Sequence, residues 1–110
     1  MDDVILNKIA IIERCFERIN EEYASSSHNL YSNYTKQDSI ILNLQRMCEA
    51  SIDIAMHIVR VERLGIPQDS RDAFELLRRD GIIADDLALA LKNMVGFRNI
   101  AVHDYRSVNL

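Results

Sequence analysis

The sequence predicts an all-α fold, a bundle of up-and-down helices joined by short connections. Three observations carry that prediction. Apolar residues recur at helical spacing along most of the chain. With three Gly and one Pro in 110 residues, turn signals are too sparse for a sheet. Hydrophobic residues make up 48%, enough for a real but modest core. A chain this short reads as one domain, residues 1–110. It buries a smaller share of its surface than a longer one and gains from a partner or a second copy.

The first helix is expected from about Asp3 to Tyr23. Ile5, Ile9, Ile12, Phe16, Ile19 and Tyr23 step by four and three, which makes one apolar stripe. Residues 24–33 are rich in Ser and Asn and read as a loop that carries His28 on the surface. Thr35 is the expected N-cap of a second helix running to about Arg63. Its stripe is Ile41, Leu44, Cys48, Ile52, Ala55 and Val59, widened by Ile40, Met47, Ile54 and Ile58. An arc this broad predicts contact with more than one neighbour. Leu64-Gly65-Ile66-Pro67 should end the helix, with Gly65 as the C-terminal cap and Pro67 as the stop. Asp69 or Ser70 opens a short third helix ending at Gly81. Ala84 or Asp85 opens a fourth, with the stripe Leu87, Leu91 and Met94.

The formal net charge is -4, and the pI is about 5.3. That excludes a general nucleic-acid coat protein, which needs a basic surface to neutralise phosphates. It leaves room for an enzyme that holds one phosphate with a local arginine cluster. Cys15 and Cys48 fall on apolar helical faces and read as buried, reduced thiols. The acidic start, Met1-Asp2-Asp3, does not resemble a signal peptide, and no apolar run approaches the roughly 20 residues that span a bilayer. The expected location is the cytoplasm, with no membrane contact.

The chemistry concentrates in Arg98-Asn99-Ile100-Ala101-Val102-His103-Asp104-Tyr105. An Arg, a His and a Tyr within eight residues can bind a phosphate, move a proton at neutral pH and offer a phenolic hydroxyl. On the fourth helix the stripe Leu87, Leu91, Met94 leads by four to Arg98. An unpaired buried guanidinium is costly. Either Arg98 pairs with an acid such as Glu49 or Asp53, or the stripe has reached a cleft. On an unbroken helix His103 stands about 140° around the axis from Arg98, while Tyr105 returns to the face of Arg98. Cooperation of Arg98 with His103 therefore requires a break in the helix or a second molecule.

Other polar residues have plainer readings. Arg46, Glu49, Asp53, His57 and Arg60 share one side of the second helix, either as a solvated face of salt-bridge pairs or as the border of the cleft, with Arg46, Glu49 or Asp53 orienting Arg98. Arg78 and Arg79 complement a helix C-terminus. Met47, Met56 and Met94 read as core filler.

The pattern of Arg98, His103 and Tyr105 resembles the signature of the HEPN ribonucleases, and more narrowly of the HepT-like toxins. Two other blocks, Ile41 to Ala55 and Leu64 to Phe74, carry the same resemblance, so it spans most of residues 38 to 105. It implies a helical bundle of HEPN type, a homodimer, and a metal-independent endoribonuclease acting as a toxin on RNA such as tRNA or mRNA. It also implies a partner, a minimal nucleotidyltransferase antitoxin that adenylylates the motif tyrosine, here Tyr105. The catalytic Arg and His fall on Arg98 and His103, and Asn99 takes the polar position after the Arg. Relatives continue into another amphipathic helix. This chain stops five residues after Tyr105, so that C-terminal helix is expected to be absent or truncated.

RNA supplies its own nucleophile, the 2′-hydroxyl, so the implied reaction calls for no metal and no cofactor. The acids are scattered and no Cys/His cluster has zinc spacing. A histidine with an ordinary pKa of about 6.5 suits the proton transfers, and an arginine suits charge developing on phosphorus oxygens. The alternative is a non-catalytic HEPN module that binds a nucleotide or a partner nucleotidyltransferase.

Overall fold

The computed structural model describes the backbone of residues 2–25 and 33–108, and the side chains of 2–24 and 33–101. Within them lie four helices: α1 (Asp3–Ser25), α2 (Tyr34–Val61), α3 (Ser70–Arg79) and α4 (Asp85–Val108). Of the loop expected at 24–33, positions 24 and 25 belong to α1, and 26–32, with His28, lie outside the described residues.

Helix α2 is the spine. Its 28 residues rise about 42 Å at 1.5 Å each, close to the 47 Å long axis of the molecule. It packs against α1, α3 and α4, as its broad apolar arc predicts, whereas α1 touches α2 alone among the described residues. The core lies where α2, α3 and α4 meet. Ile52, Ala55 and Val59 of α2 close against Ala73, Phe74 and Leu77 of α3 and Val95 of α4, with Met56 and Met94 filling the edge. Ala55 and Ala73 are almost completely covered, and their small side chains let the backbones approach while Phe74 fills the space between them.

Because α1 has one neighbour, its stripe is only partly covered. Cys15 is buried, while Phe16 and Tyr23, expected on the inner face, stand exposed. Two polar links seat α1 on α2. Lys8 Nζ lies 2.9 Å from the Asp53 carboxylate, and His57 Nε2 meets Asp2 Oδ2 at 2.5 Å while Arg60 donates to His57 Nδ1 at 3.1 Å. Asp53 and His57 of the polar side of α2 thus reach α1, while Arg46, Asp53 and Arg60 stay exposed to solvent.

The ends differ from expectation in two places. Asn33, not Thr35, caps α2, its side-chain oxygen accepting from the Lys36 amide at 3.1 Å. The helix begins two residues early because Asn offers the same acceptor as Thr. At the other end Arg63, at φ 55°, takes the left-handed position expected of Gly65. The Leu64 amide bonds to the Val59 carbonyl and the Arg63 amide to Arg60, which is a Schellman closure. Leu64 packs on the core, and that contact helps hold Arg63 in a conformation an L-residue rarely adopts. Helix α3 closes in the same way, with Gly81 left-handed.

Glu75 ties α3 to α4. It accepts from Arg78, Arg79 and, across the interface, Lys92 Nζ at 2.6 Å. Hydrogen bonds from Arg78 and Lys92 hold its carboxyl well below the usual carboxylate range. Arg78, expected only to complement the helix end, also reaches Asp85 at the start of α4. A depressed carboxylate contributes stability above its ordinary value of 4.5 and loses it as pH falls from there toward the folded-state value. Glu75→Gln is therefore expected to be less stable than the parent at about pH 7, with the gap closing between about pH 4.5 and 2. Urea midpoints across that range check it; a gap that does not narrow would contradict the assignment.

Candidate functional site

Helix α4 carries the motif. Asp85 and Asp86 in its first turn complement the positive end of the helix dipole. The line it turns to the core is Ala88, Leu91, Val95 and then Arg98, spaced three, four and three. Leu87, expected on that line, is exposed. With α1 packed on α2 alone, α4 has neighbours on one side only, and Leu87 falls outside it.

Arg98 ends this line one turn past Val95. Its side chain is 20% exposed, and Nη1 donates to the Glu49 carboxylate of α2, 49 residues away in sequence. The pairing answers the desolvation problem that the sequence poses for Arg98. Glu49 is half exposed, so the pair is partly open to solvent rather than a sealed core bridge. Arg98 Nε is buried and has no hydrogen-bond partner among the described residues. A guanidinium presents its donors in a fixed fork, so this one is committed to Glu49 at one corner and unspent at another. Cys48, beside Glu49, has its thiol pushed up by burial, against the opposing pull of the Arg98 charge. It is a buried, free thiol, as is Cys15.

A cavity of about 130 Å³ opens beside Arg98, lined by Asp69, Ser70, Arg71, Val95, Arg98 and Asn99. Asn99 is exposed at its rim. Arg71 reaches it from the first turn of α3. Gly96 makes room: a Cβ there would stand 2.8 Å from Arg71 Nη2. Sequence reasoning did not single out Arg71, because its approach to α4 depends on a glycine 25 positions away.

Of the expected supporting residues, the structure brings Glu49 to Arg98. Asp53 pairs with Lys8 instead. Arg46 is exposed along the α1–α2 groove, in company with Lys8, Glu49 and Asp53. The backbone of α4 runs unbroken through positions 98, 103 and 105. Position 103 therefore lies about 140° around the axis from Arg98, and position 105 on the Arg98 face about 10 Å further along. The side chains of His103 and Tyr105 lie outside the described residues.

Comparison with known proteins shows the family and the fold. The family described as Ribonuclease HepT-like matches residues 5–110. The chain belongs to the HepT-like ribonuclease family. It is 56% identical over 110 residues, all of this chain and 82% of the relative, to the mRNA nuclease HepT of Shewanella oneidensis strain MR-1. Its fold is similar to that of the tri-AMPylated Shewanella oneidensis HEPN toxin in complex with MNT antitoxin, at a TM-score of 0.90 and 56% identity, covering 96% of this chain and 78% of that one. A second similar structure is a toxin-antitoxin complex with AMP-PNP, at a TM-score of 0.89 and 54% identity, covering 96% of this chain and 80% of that one.

Removing Glu49 strands a largely covered guanidinium. Glu49→Ala is expected to cost about 1–2 kcal/mol, moderated by the solvent exposure of the carboxylate. Glu49→Gln keeps an acceptor and should cost less. Urea unfolding checks both; equal stability of Glu49→Ala and the parent would show that the pair contributes nothing.

Proposed function

We propose that this chain is an RNA-cleaving toxin that a partner nucleotidyltransferase silences by adenylylating Tyr105. The observation that carries the proposal is Arg98, held by Glu49 at the end of the core line, one-fifth exposed and bordering the α3–α4 cavity. The same helix bears positions 103 and 105. The 56% identity to an mRNA nuclease and the AMPylated state of a similar toxin point the same way.

In this reading Arg98 receives a phosphodiester of RNA, and its free donors stabilise charge developing on the phosphorus oxygens. The neighbouring 2′-hydroxyl attacks phosphorus and the bond to the 5′ oxygen breaks. The products are a 2′,3′-cyclic phosphate and a 5′-hydroxyl. One proton leaves the 2′-hydroxyl and one arrives at the departing oxygen, and His103 serves either transfer. A single imidazole cannot do both at once. Since α4 is unbroken, the remaining way to supply both groups is a second copy of the chain, and we assign the active form to a homodimer. Leu89, Phe97 and Ile100 form an exposed apolar strip on α4, and position 103 falls one turn beyond Ile100 on that same side. Association along the strip would bring two copies of position 103 together. The 110 residues act as one HEPN domain in the cytoplasm; no helix among the described residues is long and apolar enough to cross a membrane.

Silencing follows from helical register. Position 105 shares the face of Arg98. The phenolic oxygen of Tyr105 attacks the α-phosphorus of ATP on the partner, pyrophosphate leaves, and the tyrosine keeps an adenylate. That group fills the space RNA must occupy and offers Arg98 a competing phosphate.

His103→Ala is expected to abolish growth inhibition and RNA cleavage by at least ~100-fold while leaving the helical content intact. Parent activity should persist in EDTA and vanish on RNA carrying 2′-deoxy at the cut site. A His103→Ala protein as toxic as the parent overturns the mechanism. Tyr105→Phe is expected to gain no adenylate mass when incubated with the partner and ATP, whereas the parent gains at least one. An adenylate on the Phe variant, or none on the parent, refutes the control mechanism.

A further inference from the structure

We propose that Arg71 is a second phosphate-binding residue, holding with Arg98 and Asn99 a backbone phosphodiester of the RNA in the cavity between the start of α3 and α4. The inference rests on the proposed ribonuclease reading and extends its site beyond the motif.

Arg71 and Arg98 line one small cavity in an acidic protein, with Asp69 the one carboxylate among the described residues of its lining. Arg98 has Glu49. The acids nearest Arg71 are already engaged. Asp69 caps α3 by accepting from the Asp72 amide at 2.8 Å, Asp72 accepts from the Gln68 amide at 2.9 Å, and Glu75 is taken by Arg78, Arg79 and Lys92. Among the described residues Arg71 has no ion-pair partner. Its one hydrogen bond is a long one, from Nε to the Lys92 carbonyl at 3.4 Å. That bond aims the guanidinium across Gly96 and leaves both Nη groups to serve a ligand.

Two guanidiniums, a hydroxyl and an amide side chain, set against the single carboxylate of Asp69, surround about 130 Å³ and suit a tetrahedral oxyanion. The volume holds a few waters, and hence a phosphate in their place. Because Arg98 borders the cavity and is also the residue assigned to the scissile phosphate, the Arg71 site takes that phosphate or the one next to it along the strand. The plainer role for Arg71, pinning α3 to α4, is already met by the Glu75–Lys92 pair and by Phe74 in the core.

Gly96 allows a test that separates binding from folding. Gly96→Ala adds a Cβ where Arg71 Nη2 now lies, so the guanidinium must move while its charge remains. Alanine also favours a helix interior over glycine, so the variant should melt at or above the parent temperature. The measurement is equilibrium binding of a 2′-O-methyl RNA oligonucleotide, which cannot be cleaved, over a range of salt, followed by cleavage of the matching natural RNA. Arg71→Ala is expected to weaken binding about tenfold, to lower the salt dependence by about one phosphate contact, and to raise KM more than it lowers kcat. Gly96→Ala should weaken binding about threefold on its own and add nothing in the Arg71→Ala background. Arg71→Lys should recover part of the loss. Parent-like binding by Arg71→Ala, or an equal Gly96→Ala effect in both backgrounds, overturns the assignment, as does a parent that binds no RNA. A parent that binds RNA through Arg71 without cutting it would sustain this site and refute the ribonuclease reading instead.

Discussion

Helix α2 is the element every other helix packs against, and the side chains along its seam set how near the others come. Cys48, Ile52, Ala55 and Val59 are all buried there. Ala55 of α2 and Ala73 of α3 belong to one buried cluster with Phe74, Leu77 and Val95, where the small side chains leave room for the larger ones. That spacing brings the far end of α4 alongside α2 at Glu49. The acid on one helix and the base on the other meet only because the core between them is thin. A larger residue at 55 or 73 would push apart the surfaces that bring Arg98 to Glu49.

The electrostatics follow from where the acids are committed. A net charge of -4 reads as unfavourable for a protein that handles phosphates. Yet many of the acids near the site are engaged. Asp69 and Asp72 are caps, Glu75 is shared among three cations, Asp53 holds Lys8, and Glu49 holds Arg98. The α3–α4 cavity is lined by two guanidiniums and one carboxylate, Asp69, whose oxygen also caps α3. Local field, rather than net charge, decides which ligand the site favours.

Much of this was legible in the sequence, and the rest was not for identifiable reasons. Helical period located all four helices, and it read α2 well because a helix with three neighbours buries most of its apolar arc. It misjudged Phe16, Tyr23 and Leu87, because a period identifies an apolar side but not which edge of it a neighbour will cover. The end of α2 was assigned to Gly65 on residue type, whereas the Schellman bonds and the packing of Leu64 put the left-handed turn at Arg63. The Arg98–Glu49 pair was legible as one of two choices, since the cost of a buried guanidinium demands an acid and α2 offered Glu49 and Asp53. Arg71 carried no periodic signal, because its placement depends on an absent side chain at Gly96.

The unbroken course of α4 narrows what the motif can be. Had the helix kinked after Arg98, one chain could have folded Arg and His around one phosphate. The i to i-4 bonds instead continue to Val108, and no Pro or Gly lies between Arg98 and His103 to interrupt them. A straight helix presents position 105 with Arg98 and turns position 103 toward the apolar strip of Leu89 and Ile100. Arg98 and position 105 lie on the side facing α2 and α3 and position 103 on the other, so one straight helix does not bring all three to one phosphate. Leu89, Phe97 and Ile100 leave that side of α4 apolar and exposed, the kind of surface that a partner molecule covers.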